Sequence, residues 1–306
     1  MLRPLTAILL LCPAVAEART CQGVWTDPAR NRALPVELRL PDGARGQVPV
    51  ILYSHGLGGS NAGGGIWKAA WERAGFAVLS VQHPGSDSSL LTPGAGIRNL
   101  IALRRAFTPA TLTARVADIG FVLDRLDGQA GVGACPTTGI DRSRIGMAGH
   151  SFGSITTMAM AGARLTGAPG MREARIAAAV ALSPSPPRDG SADRAFSDVT
   201  VPVMMATGTE DQLRFDTIRA SDRLKPFAAL PPGGKYLLVL DGATHMDLAG
   251  GGPLSNPRAE LTRPVIAATT AFWNATLRLD TTAEGWLKSP SGFRATLPES
   301  DRFSIK

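Results

Sequence analysis

The chain predicts an α/β domain with a mostly parallel central sheet flanked by helices on both faces. Three observations lead there. Short apolar runs alternate with helix-length stretches along nearly all of the 306 residues, as strands and covering helices do in such a fold. The stretch 111–126 repeats Val116, Ile119, Val122, Leu123 and Leu126 at helical spacing. No internal repeat points to a solenoid or propeller instead.

Taken in order, residues 36–40 alternate as an early edge strand, and 50–54 form a strand. A helix follows over 66–74, then a strand over 77–82. The segment 83–110 departs from the alternation, with Pro84-Gly85-Ser86-Asp87-Ser88-Ser89, Pro93-Gly94-Ala95-Gly96 and a short helix over 97–107. It is expected near the mouth of any pocket, either as a partial lid or as a connection that never touches a ligand. Next come the helix 111–126, a strand over 144–148, a helical stretch 154–163 and a strand over 177–182. A Ser-, Pro- and Asp-rich loop, 184–198, precedes a strand over 201–207, a helix over 215–225 and a strand over 236–240. The last long helix is expected over 263–277, with Phe272 and Trp273 packed on the sheet, and the tail 281–306 wraps the surface.

Chemistry concentrates at Gly149-His150-Ser151-Phe152-Gly153, between the strand 144–148 and the helix after it. A serine held between two glycines at a strand-to-helix turn is presented above the sheet, because the turn has no room for flanking side chains. Chance alone gives roughly 0.2 such pentapeptides in a chain this rich in glycine, so the rest of the pattern decides. In this arrangement a base and an acid follow the serine in the order Ser, acid, His. Of the four histidines, His55, His83, His150 and His245, only His245 lies beyond Ser151. It directly follows a late strand. The acid is expected after the preceding strand, where Gly208-Thr209-Glu210-Asp211 offers Asp211, with Glu210 and Asp216 as neighbours. An acid after the strand 177–182, Asp189 or Asp193, is the other placement.

An oxyanion hole needs two backbone N–H donors aimed at one point. Phe152 supplies one. The loop Ser54-His55-Gly56-Leu57-Gly58-Gly59, after the strand 50–54, offers Leu57 as the second, with His55 orienting the loop. No metal or cofactor is expected: the early histidines lack ligand spacing and no cysteine pair stands near a histidine.

The chain opens Met1-Leu2-Arg3-Pro4, continues with an apolar run 5–15 and reaches Ala16-Glu17-Ala18. This is a secretory signal pattern with cleavage expected after Ala18, hence a secreted or periplasmic protein without a stable membrane span. Cys12 leaves with the signal; Cys21 and Cys135 remain, an even count that favours one disulfide in an oxidising compartment. About 288 residues remain, enough for a single large domain, residues 19–306. The net charge of +7 is mostly dispersed arginine, with no basic run interleaved with aromatics, which argues against nucleic-acid binding.

Ser54-His55-Gly56-Leu57-Gly58-Gly59 and Gly149-His150-Ser151-Phe152-Gly153 together resemble the α/β-hydrolases related to platelet-activating factor acetylhydrolase and secreted bacterial dienelactone-hydrolase-like proteins. The similarity extends through Ala74-Gly75-Phe76-Ala77-Val78, Gln82-His83-Pro84-Gly85-Ser86 and Arg115-x-x-Asp118-Ile119, over roughly residues 48–290. It implies an α/β-hydrolase fold and a serine carboxylic-ester hydrolase with Leu57 and Phe152 as oxyanion donors. Position 151 is serine where dienelactone hydrolases use cysteine, and the acetylhydrolase branch places its acid after the earlier strand. The expected partner is a small-molecule or lipid ester. An amidase, peptidase or thioesterase using the same residues, and a secreted binding protein on the same scaffold, are the rival readings.

Overall fold

The computed structural model describes residues 19–43, 46–166, 168, 172–213, 217–251 and 258–306. The expected signal segment, with Cys12, and the alternative acid Asp216 lie outside the described residues. The elements run β1 (Arg19–Asp27), β2 (Arg32–Leu40), β3 (Val48–Ser54), α1 (Gly65–Arg73), β4 (Ala77–Val81), α2 (Gly96–Ala106) and α3 (Pro109–Asp127). They continue β5 (Ile140–His150), α4 (Phe152–Met160), β6 (Ile176–Leu182), α5 (Ala192–Phe196), β7 (Val203–Glu210), α6 (Lys225–Ala229) and β8 (Lys235–Thr244). The chain ends with α7 (Ala259–Leu277), α8 (Thr281–Lys288) and β9 (Arg302–Ile305).

The nine strands form one sheet in the order β1-β2-β4-β3-β5-β6-β7-β8-β9. The pairs from β4 through β8 are all parallel. β1 and β2 at one edge, and β9 at the other, run antiparallel to their neighbours. The strand sequences explain the layering. Side chains alternate across a sheet with period two. In β3, Val50 and Leu52 enter one core with Val116, Ile119 and Leu123 of α3. Ile51 and Tyr53 enter the other, with Trp67 and Trp71 of α1 and Phe272 and Trp273 of α7. A continuous apolar strand therefore needs helices on both faces, and it has them.

One strand lies outside the expectations above, and two expectations are corrected. β1 carries no apolar run, and only Trp25 and Asp27 of it are buried. It is held by its hairpin with β2 and by the Cys21–Cys135 disulfide, which ties it to the loop before β5. The tail does not merely wrap the surface. β9 completes the sheet and covers the hydrogen-bonding edge that β8 would leave open, while the tail buries Leu287 of α8, Phe293 in the turn after it and Phe303 of β9. Finally, of the helix expected over 215–225, whose first two residues lie outside the described ones, Ala220–Leu224 is a short 3-10 turn running into α6. Pro226 lies in the first turn of α6, where it suits a helix start better than a helix interior.

No helix among the described residues is long and apolar enough to cross a membrane. That fact and the disulfide are compatible with a secreted protein. The disulfide spans a sequence separation of 114 residues, and closing a loop of that size restricts the unfolded chain strongly. Replacing both cysteines with serine is expected to cost about 4 kcal/mol. Urea unfolding of the double variant beside the oxidised protein measures it; equal midpoints would refute the estimate.

Candidate active site

The site is built where β5 turns into α4. Ser151, between the two elements, has φ 54° and ψ −115°, a conformation that costs a non-glycine residue about 1–3 kcal/mol. Its N–H donates to the Leu182 carbonyl at 3.0 Å, tying the turn to the end of β6. The flanking glycines are compelled by space. A Cβ on Gly149 would overlap the Gly153 carbonyl and lie 2.9 Å from the Ser54 oxygen. One on Gly153 would overlap the Ser54 oxygen and lie 2.6 Å from its carbonyl carbon. The elbow is thus packed on the end of β3, from which the glycine-rich loop departs.

His245 follows β8 and is almost fully buried. Its Nδ1–H donates to Asp211 Oδ1 at 2.7 Å, and Thr207 donates its hydroxyl to Oδ2 at 2.8 Å. Burial pushes the Asp211 carboxyl up. The His245 hydrogen bond and charge, the Arg223 charge and the Thr207 hydroxyl outweigh that and hold it below its ordinary value. Of the other acids considered, Glu210, Asp189 and Asp193 are exposed, and none of them pairs with His245. No hydrogen bond joins Ser151 Oγ to His245 among the described residues; such contacts are often long without substrate and tighten on binding.

The loop that carries Leu57 and the turn that carries Phe152 lie side by side. The glycine-rich loop lies against the serine: a Cβ on Gly56 would sit 3.5 Å from Ser151 Cβ. Gly58 N–H is taken by the Ser86 carbonyl and Gly59 N–H by Gly56. The N–H groups of Leu57 and Phe152 have no hydrogen-bond partner among the described residues. At Phe152 the cause is general, because the first N–H groups of a helix have no acceptor within it.

The remaining histidines are buried parts of the frame. His55 Nδ1–H donates to Gly56 O at 2.7 Å, and Nε2 accepts the His83 N–H at 3.0 Å. His83 accepts the Ser54 hydroxyl on Nε2 at 3.0 Å and donates from Nδ1 to Asp118 at 2.9 Å. His150 Nε2–H donates to the His245 carbonyl at 3.0 Å, steadying that residue. Burial drives all three imidazoles down: His83 to about 4, His150 to about 3 and His55 well below the usual value.

A pH dependence of stability follows. Unfolded imidazoles take up protons near pH 6.5, whereas the folded ones stay neutral. Their contribution is therefore full above about pH 6.5 and is lost as pH falls toward the folded value near 4 for His83 and 3 for His150. Melting temperature is expected to drop between pH 7 and pH 5; a flat profile across that range would count against it.

Ser151, Leu57 and Phe152 open onto a cleft of about 340 Å³ walled by Leu103, Phe107 and Ile155. A second space of about 340 Å³ shares Phe107, Phe152 and Ile155 and extends the cleft toward Leu112 and Leu165. α2, part of the irregular segment 83–110, supplies Leu103 and Arg104 to the wall. The segment therefore touches the cleft rather than bypassing it.

Sequence reasoning missed Arg223. Its side chain is 1% exposed. Nε lies 2.7 Å from Asp211 Oδ1, and the guanidinium also donates to the carbonyls of Ser183 and Pro184, each at 3.2 Å. It braces the acid against the loop after β6. A lone arginine between Asp222 and Leu224 carries no local signal of such a role. Among the described residues no group of three His, Cys, Asp or Glu side chains is placed to hold a metal ion. Comparison with models of known families and with curated proteins finds no match to this chain.

Proposed function

We propose that the protein is a serine hydrolase with an α/β-hydrolase fold that cleaves carboxylic esters, short-chain or lipid-like, through Ser151, His245 and Asp211. The observation that carries this reading is the strained backbone of Ser151, locked between two glycines that tolerate no Cβ. A fold maintains such strain where exposure of the side chain is needed. The His245–Asp211 hydrogen bond, the order Ser, Asp, His along the chain, and the two unpaired N–H groups support it further.

In this mechanism His245 takes the Ser151 proton as Oγ attacks the ester carbonyl, then protonates the leaving alkoxide. Asp211 holds the imidazole tautomer and stabilises the imidazolium, and the Leu57 and Phe152 N–H groups donate to the oxyanion. Water, activated by the same histidine, releases the acid. The apolar wall of Leu57, Leu103, Phe107, Phe152 and Ile155 supports an apolar acyl group, and Arg104, Arg188 and Arg223 also line the cleft. The N-terminal signal pattern and the disulfide support a secreted or periplasmic setting.

The test is hydrolysis of p-nitrophenyl esters from acetate to laurate, with one acyl group also offered as thioester and anilide. Ester turnover is expected to lead the series. Faster anilide cleavage would favour the peptidase or amidase reading, and a thioester lead the thioesterase. No turnover, and no labelling by a fluorophosphonate in a folded protein, would leave a binding protein.

A further inference from the structure

The sequence pattern Arg115-x-x-Asp118 has no part in the mechanism above, yet both side chains are fully buried on α3. Asp118 is turned away from the cleft, toward Arg30 at 2.8 Å, Arg32 at 2.6 Å and His83 at 2.9 Å. Arg115 points the other way. Its guanidinium donates to the His55 carbonyl at 2.7 Å, to Ser86 Oγ at 2.8 Å and, at 3.4 Å, to the Ser86 carbonyl. Its Cζ stands 4.3 Å from the centre of the Phe152 ring.

These contacts bracket both oxyanion donors. The His55 carbonyl lies just before the Gly56–Leu57 peptide, and the Ser86 carbonyl is the one that holds Gly58 N–H, just after it. The guanidinium face rests on the side chain of Phe152. One side chain thus reaches the two chain segments, nearly a hundred residues apart, whose N–H groups must aim at a single atom.

We infer, on the hydrolase reading above, that Arg115 is a positioning residue which sets the spacing and direction of the Leu57 and Phe152 N–H groups. Its charge lies behind those donors and adds to the field at the oxyanion. The substrate carbonyl is neutral and the tetrahedral oxyanion is not, so both effects favour the transition state over bound substrate.

The cost of keeping this arginine argues that it does more than fill space. No carboxylate lies within ion-pair distance of it among the described residues; Asp118 and Asp87 act only at longer range. Burial pushes its pKa down to about 9, the charge of Asp118 and Asp87 opposing the fall. A guanidinium desolvated without an ion pair is expensive, and apolar packing would tether the helix with less penalty.

The experiment compares wild type, Arg115→Met and Arg115→Lys in ester hydrolysis and in inhibition by a boronic acid, which forms a tetrahedral adduct on the serine. Arg115→Met is expected to lower kcat about 100-fold, with KM changed less than about threefold and boronate affinity reduced in step with kcat. Arg115→Lys, which keeps the charge but not the fork, is expected to fall between. Retained kcat, or a kcat loss without loss of boronate affinity, would overturn the inference. If Arg115→Met does not fold, the same comparison on Arg115→Lys decides. Absence of Ser151-dependent turnover in the wild type would instead overturn the hydrolase reading, which keeps the two failures distinct.

Discussion

Replacing Ser151 with alanine is expected, on the proposed mechanism, to lower kcat for ester hydrolysis by about five to six orders of magnitude, because loss of the proposed nucleophile removes the covalent route entirely. The fold is expected to survive. Ser151 Oγ makes no hydrogen bond among the described residues, and alanine at φ 54° is strained to about the same degree as serine. Ser151→Gly sharpens the point. Glycine adopts positive φ without penalty, so this variant is expected to be more stable than wild type by about 1 kcal/mol and equally inactive. Turnover together with thermal melting of both variants checks this. An Ser151→Ala protein with near wild-type turnover would end the assignment, and a Ser151→Gly protein that melts lower would show that the turn is unstrained.

The second large effect is structural. Gly153→Ala would drive a Cβ into the Ser54 carbonyl, within 2.6 Å of its carbon and 2.9 Å of the His55 oxygen. Every obstacle is backbone, so no side-chain rotation relieves it. Either β3 moves away from the elbow or α4 shifts, and both carry the oxyanion loop out of line with Ser151. A loss of about 3–5 kcal/mol is expected, at the severe end of single substitutions, together with loss of activity. Gly120 is the control: it lies within α3, where an added Cβ meets nothing within 4 Å. Gly120→Ala is expected to stabilise the protein by about 0.5–1 kcal/mol. Denaturant titrations of the pair measure the contrast; similar midpoints would refute it.

Much of this architecture was legible from local pattern. The apolar runs became β3 through β8, and the helical spacing of Val116, Ile119 and Leu123 became the buried face of α3. Strand and helix periods are properties of a few consecutive residues, so they survive in the sequence. β1 and β9 did not stand out, because an edge strand is half polar and is kept by pairing, by a disulfide or by a few buried rings such as Phe303. The turn and short helix that replace the expected helix 215–225 share the cause: Arg223 is drawn inward by groups on the loops after β6 and β7, which no local period encodes.

The sequence by itself determined the layered α/β plan, the glycine-flanked turn at Ser151 and the elimination that leaves His245 as the one histidine beyond it. Each rests on residue type at fixed spacing, where steric limits act between near neighbours. Only the tertiary structure decided that Asp211, rather than Glu210, Asp189 or Asp193, meets His245, because that meeting depends on adjacent β7 and β8 delivering their loops to one point. It alone also set Arg223 against Asp211 and Arg115 between the His55 carbonyl and the Phe152 ring. The partners of a buried guanidinium are largely backbone carbonyls, which every residue possesses, so no pattern of side chains announces where it will lie.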